Sequence, residues 1–225
     1  MPAPRKSASR PPAAVDAPPR DALRKAILDG VFLPGERLVE ATLCERFHAS
    51  RFIIRAALVD LAAEGLVEVQ RNRGAHVRKI TFEEAIEITE VRMVLEGLVA
   101  ARAAARVTDE QASELDEIAL LMRRAVAADE FRRYSELNRR LHGMIQTIAG
   151  HETADRLITT MRAQLVRHQY TLSLLPGRPA TSLPQHERIV EAIRARSPKA
   201  AEEAMRDHIA SVIEAMRDLE AVGLS

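Results

Sequence analysis

The chain has 225 residues, 47% apolar and 29% charged, with 3% aromatics, no Trp and a formal net charge of +1. That is enough chain for two modest domains with buried cores, and scarce aromatics beside plentiful Ala and Leu favour helices over sheets. A lone cysteine, Cys44, excludes an internal disulfide; no run approaches the roughly 18 apolar residues of a membrane span and the N-terminus lacks the apolar core of a secretion signal, so a cytoplasmic protein is expected.

The charge is uneven. Residues 1–80 hold 14 Lys/Arg against 9 Asp/Glu, and residues 81–225 hold 19 against 23. A basic first third joined to an acidic remainder suits a polyanion-binding module followed by one with other work. Residues 1–19, rich in Pro, Ala and Ser and without hydrophobic periodicity, are expected to form a disordered tail.

The pattern then predicts a helix over residues 21–28 that stops at Asp29-Gly30, followed by a Pro34-Gly35 turn. A second helix is expected over residues 39–47, with Leu43 and Phe47 inward, and His48-Ala49-Ser50 makes the next turn. Ser50 is a good N-cap for a third helix that runs to Glu64 and ends at Gly65. Residues 66–70 and 75–78 alternate around Arg71-Asn72-Arg73-Gly74, a hairpin signal and the only β structure the pattern supports. Helix, tight turn, helix and basic hairpin make a winged helix-turn-helix over residues 20–79, a unit that lays a helix along the DNA major groove.

Thr81 with Glu84, and Thr108 with Gln111, read as capping boxes that open helices running to about residues 106 and 127. Helices at residues 130–149, 152–175, 184–196 and 198–222 follow, with Pro176 to Pro184 as a loop and Ser197-Pro198 as a cap with Pro at the first helical position. The expected fold class is therefore mainly α: an N-terminal winged helix-turn-helix and a C-terminal all-helical bundle over residues 81–225.

A reading helix needs the side chains at its N-terminal end free to reach base edges and phosphates. Here that end offers Ser50, Arg51 and Arg55, Arg being suited to bidentate contact with guanine and Ser to phosphate. In the hairpin, Arg71 and Arg73 suit phosphate or the minor groove, and Gly74 permits close backbone approach. The alternative is that these arginines only solvate one face of a small helical domain.

In the helical part, polar residues on apolar stripes are the informative exceptions. Asn138 and His142 lie one turn apart beside the stripe Tyr134, Leu137, Leu141, Ile145 and Ile148. His186 precedes Ile189, Val190 and Ile193 at helical spacing, and His208 falls among Met205, Ile209, Val212 and Met216. Three imidazoles and one amide oxygen projecting inward suit a divalent metal such as zinc, nickel or manganese. Each histidine alone is equally a hydrogen-bonded core residue. Of the others, His48 sits in the DNA-binding turn, His76 should face away from the core, His151 lies near a helix start and His168 is expected to be exposed.

The string Pro34-Gly35-Glu36-Arg37-Leu38, then Ser50-Arg51 with Arg55-Ala56-Ala57-Leu58, Leu61 to Val67, Arg73-Gly74 and Val77, resembles the N-terminal domain of GntR-family transcription regulators. Ile53 and Ala56 stand where the family pattern has Pro and Glu, and Val39 and Ala41 also depart from it, which leaves the operator sequence open. Residues 81–222 resemble the FCD ligand-binding domain (FadR-type C-terminal domain) of one GntR subfamily, on Arg92 with Glu96, Asn138 with His142, His186 with Ala192-Ile193, and His208. That resemblance implies that Asn138, His142, His186 and His208 ligate a divalent metal, and that a carboxylate effector completes its coordination. Arg92 fits the family pattern as an effector anchor; Arg162 and Arg167 are further candidates from helical phase.

The leading reading is a ligand-responsive regulator: a homodimer on a palindromic operator in double-stranded DNA, sensing a small carboxylate. A metallohydrolase is the alternative enzyme, but neither His151-Glu152 nor His186-Glu187 continues into an HExxH motif, no Gly-x-Ser-x-Gly elbow, P-loop or Rossmann fingerprint appears, and no enzyme is expected. The third reading is a constitutive DNA-binding dimer with structural histidines.

Overall fold

A computed structural model describes residues 17–70, 74–173, 175 and 177–221, without the side chains of residues 167, 169, 170 and 173. The described residues form two compact units, divided between Arg78 and Lys79.

The first unit contains α1 (Pro19–Leu28), β1 (Arg37–Leu38), α2 (Glu40–Phe47), α3 (Arg51–Ala63), β2 (Val67–Gln70) and β3 (Gly74–Val77). Ser50 caps α3 by accepting from the Ile53 N–H at 3.4 Å, so one of the helix's orphan donors is satisfied before the chain enters the helix. Ile54, Ala57, Leu58 and Leu61 recur at helical spacing and are buried; with Leu23, Ile27, Leu38, Leu43, Val67, Ala75 and Val77 they supply this unit's core. At the far end of α3, Arg24 of α1 donates to Glu64 at 2.8 Å and ties α1 to α3.

The hairpin pairs Val67 with Val77 and Gln70 with Gly74. It is not the whole sheet. The strand order is β1-β3-β2, with Arg37 opposite His76 and Leu38 opposite Ala75, so a third strand joins that the sequence pattern does not show. Two residues are too few to display alternation, and only the distant partner defines them. The Pro34-Gly35 turn delivers them: Gly35, at φ +81°, donates to the Val77 carbonyl at 2.8 Å. A positive φ of that size suits Gly.

The second unit is helical: α4 (Phe82–Arg106), α5 (Asp109–Ala127), α6 (Phe131–Ala149), α7 (Glu152–Gln164), α8 (Val166–Ser173), α9 (Arg178–Arg194) and α10 (Pro198–Ala221). Thr81 accepts from Glu84 N–H, and Thr108 and Gln111 form a reciprocal capping box. None of the described helices is long and apolar enough to cross a membrane. The main core joins Val99, Ala100, Leu115, Ile118, Met122, Leu141, Ile145, Ile158, Ile189, Ile193, Met205 and Ile209. Gly97 lets α4 and α10 approach closely, since a Cβ there would lie 3.0 Å from Arg206 Cγ.

Three expectations are corrected here. Residues 152–175 are not one helix: the chain breaks at Leu165, which is fully buried with Ala85, Leu172, Met216 and Leu219 in a second cluster. Residues 178–184 are not a loop: α9 starts after the left-handed Gly177 and carries Pro184 inside it. Pro179 sits in the first turn, where a missing N–H is harmless, and Pro184 forfeits one backbone bond. Pro179, Ser182, His186 and Ile189 are all buried on one face, which offsets that loss. His168 also departs from expectation: its ring packs edge-on to Phe82 at 5.1 Å.

Candidate functional site

Two constellations carry chemistry, one in each unit. In the first, the N-terminal turn of α3 presents Arg51 to solvent directly after the Ser50 cap. Arg55, one turn on, is already engaged: its Nε stands 2.9 Å from both carboxylate oxygens of Glu40 at the start of α2. The hydrogen bond and the charge of Glu40 both raise the Arg55 pKa. Arg71 and Arg73 lie outside the described residues; Gly74 follows them at φ +85° and opens β3.

In the second unit, α6, α9 and α10 bring His142, His186 and His208 together. Their ring centroids are 5.5 Å apart for His142–His186 and His142–His208, and 4.3 Å for His186–His208. One ligand nitrogen from each lies within 4.8 Å of the other two. All three are buried, at 5%, 1% and 5% exposure. Burial, the largest cause for each, pushes all three imidazoles below the ordinary histidine value, and neighbouring histidines push His186 and His208 further the same way. Neutral imidazole is the form that ligates a metal.

Each ring is held through Nδ1. His142 Nδ1 lies 3.2 Å from Glu96 Oε2, His186 Nδ1 lies 3.1 Å from the Tyr134 hydroxyl, and His208 Nδ1 lies 3.0 Å from Gln185 Oε1. That leaves Nε2 of every ring clear of these contacts, and His186 Nε2 is buried with no hydrogen-bond partner. Asn138 Oδ1, one turn before His142, is likewise buried and unpartnered. A buried polar atom left unpaired costs on the order of 1–3 kcal/mol, so Asn138 Oδ1 and His186 Nε2 are available as ligand atoms. A divalent cation fits this donor set of imidazole nitrogens and an amide oxygen, with Glu96, Tyr134 and Gln185 orienting the rings.

Beneath His142, Glu96 bridges two guanidiniums. Arg92 Nε and Nη2 donate to Oε1 at 3.0 and 2.8 Å, and Arg162 Nη2 donates to Oε2 at 2.6 Å. Burial alone would raise the Glu96 pKa, but Arg162, Arg92 and the His142 hydrogen bond outweigh it and hold the carboxyl well below its ordinary value. Two guanidiniums against one carboxylate leave positive charge beside the histidines, with Arg92 Nη1 and Arg162 Nε buried and unpartnered. The Arg167 side chain lies outside the described residues.

Of the residues named from sequence, His142, His186 and His208 converge, Asn138 lies one turn before His142 on α6 with its Oδ1 buried, and Arg92 and Arg162 meet on Glu96. The orienting partners Glu96, Tyr134 and Gln185 were not recognised from sequence. Arg92–Glu96 at four-residue spacing on a small-residue stripe was a usable signal for the first of them, and Tyr134 lies two turns before His142 on the same helix. Nothing in sequence marks Gln185, whose role depends on α9 facing α10.

The FCD domain profile matches residues 87–211, more than half the chain, and the profile for bacterial regulatory proteins of the gntR family matches residues 20–77. The HTH-type transcriptional repressor RspR of Escherichia coli is 29% identical over 197 residues, covering 88% of this chain and 86% of that protein. The galactonate operon transcriptional repressor of Escherichia coli is 27% identical over 219 residues, covering 88% and 94%. Among solved structures, Escherichia coli McbR/YncC aligns with a TM-score of 0.72 at 18% identity, over 90% of this chain and 96% of that one, which speaks to the fold. The winged unit, the helical bundle and both profile matches agree: the chain belongs to the GntR family of DNA-binding transcription regulators, in the branch that carries an FCD domain.

Proposed function

We propose that this transcription regulator is ligand-responsive, and that its helical domain binds a divalent metal through Asn138, His142, His186 and His208 as part of a sensor for a small organic acid. The observation that carries the reading is the pairing of three Nδ1-anchored imidazoles with an unpartnered buried Asn138 Oδ1 and His186 Nε2. A metal there supplies concentrated positive charge for an effector carboxylate, and the surplus guanidinium charge of Arg92 and Arg162 over Glu96 favours the same ligand class. One relative is named for a galactonate operon, and galactonate is a hydroxy acid of that class.

Two copies of the chain, joined through the helical domain, would set two α3 helices on the half-sites of a palindrome. The effector then acts by differential affinity for the states in which the reading heads are and are not correctly spaced. Elemental analysis of purified protein, followed by thermal-shift measurements with small carboxylates, tests the reading. Stoichiometric metal and a carboxylate-induced shift that disappears on chelation are expected. Metal-free protein that no carboxylate stabilises would leave the histidines as structural residues.

A further inference from the structure

The outer face of α3 is unexpectedly apolar. Phe52 is 82% exposed, the highest value among the large apolar side chains described, and Val59 is 63% exposed. Phe52, Arg55, Ala56 and Val59 recur at three-, four- and seven-residue offsets, so they share one solvent-facing stripe opposite the buried Ile54, Ala57, Leu58 and Leu61. Single exposed apolar residues are ordinary on a surface. An aromatic ring in the first turn of a reading helix is different, because that turn enters the major groove.

Arg51 directly precedes Phe52 in sequence and is exposed, and Arg55, one turn after, is held by Glu40. In an apolar seam with another protein, exposed Arg51 would be stripped of water without a partner, at a cost. On DNA, exposed Arg51 finds phosphate or guanine. The major-groove edges offer one apolar group, the thymine 5-methyl.

We infer that Phe52 is a specificity-determining residue that reads a thymine methyl in each operator half-site, beside the base or phosphate met by Arg51. Its first-turn position and its exposure place it at the end of α3 that also presents Arg51. The inference is independent of the metal and effector reading, since it concerns only how the first unit meets DNA.

The test uses the full chain and an operator selected from random duplexes. Replacing single thymines by deoxyuridine removes the methyl and leaves every hydrogen-bonding group in place. Wild type should lose roughly three- to fivefold in affinity at one thymine per half-site, the worth of about one buried methyl group. Phe52→Ala should bind the parent operator more weakly and be indifferent to thymine or deoxyuridine at that position, while Phe52→Leu should keep a reduced preference. The inference is overturned if Phe52→Ala retains the full deoxyuridine penalty, or if no thymine replacement affects wild type. It is equally overturned if Phe52→Ala alters the oligomeric state and leaves discrimination between the two bases intact.

Discussion

Glu96 and His142 meet at 3.2 Å in the interior of the helical domain, and the same carboxylate takes guanidinium hydrogen bonds from Arg92 and Arg162. One side chain thus fixes the orientation of a proposed metal ligand and neutralises part of the charge gathered beside it. Both duties depend on the carboxylate being ionised, which the two arginines secure.

Glu96→Gln preserves the shape and removes the charge. Loss of an oriented partner for a ligating imidazole should lower metal affinity roughly 10- to 100-fold. Leaving Arg92 buried opposite a neutral amide should also destabilise the fold, by about 3–5 kcal/mol at most for a fully buried pair, and less here because the Arg162 side chain is 22% exposed. Chelator competition and urea midpoints separate the two effects. Wild-type metal retention in a destabilised variant would reduce Glu96 to a charge partner alone.

His208→Ala removes an imidazole from α10, in the second unit. Metal content and the carboxylate-induced thermal shift should both vanish, with operator affinity in the absence of effector unchanged within about twofold, or ~0.4 kcal/mol. Metal analysis and gel shift on the same preparation check it; an intact effector response would move the ligand elsewhere.

Chelating the metal from wild type should lower the melting temperature of the helical domain. A ligand present at 100 times its Kd contributes about 2.7 kcal/mol to the folded state. Scanning calorimetry with and without chelator measures this, and His208→Ala should show no further shift.

Arg51→Ala should weaken operator binding by about 1–3 kcal/mol and relax base preference at one position if the guanidinium contacts guanine. Selection of binding sites by the variant reads this directly. A uniform loss across all sequences, with a shallower salt dependence, would instead assign Arg51 to phosphate.

Glu40→Gln releases Arg55 from its carboxylate partner. An exposed pair holds its guanidinium only weakly, so operator affinity should rise modestly. The slope of affinity against salt concentration should steepen by about one released counterion per head. No change in that slope would show that Arg55 keeps its distance from DNA.

The reading helix and its cap were legible in sequence because their determinants are local: Ser50 sits beside the N–H it accepts, and Ile54, Ala57, Leu58 and Leu61 declare a face by spacing. The histidines were legible for a related reason, since a polar residue in an apolar stripe must point inward whatever it meets. β1 was not legible because two residues carry no period, and α9 was not because Pro184 and the Gly177 turn resemble a loop until the buried face beyond them is seen.

What residue order alone determined is the helical character, the reading helix with its flanking arginines, and four polar groups turned toward the interior of the bundle. What only tertiary structure decided is that three of those groups meet, and which atoms of them stay free. Glu96, Tyr134 and Gln185 come from α4, α6 and α9, separated by up to 89 residues of chain, and each takes up an Nδ1. Helical periodicity is a property of neighbours and can be read from one segment. Convergence depends on how separate helices pack, and no local pattern encodes it.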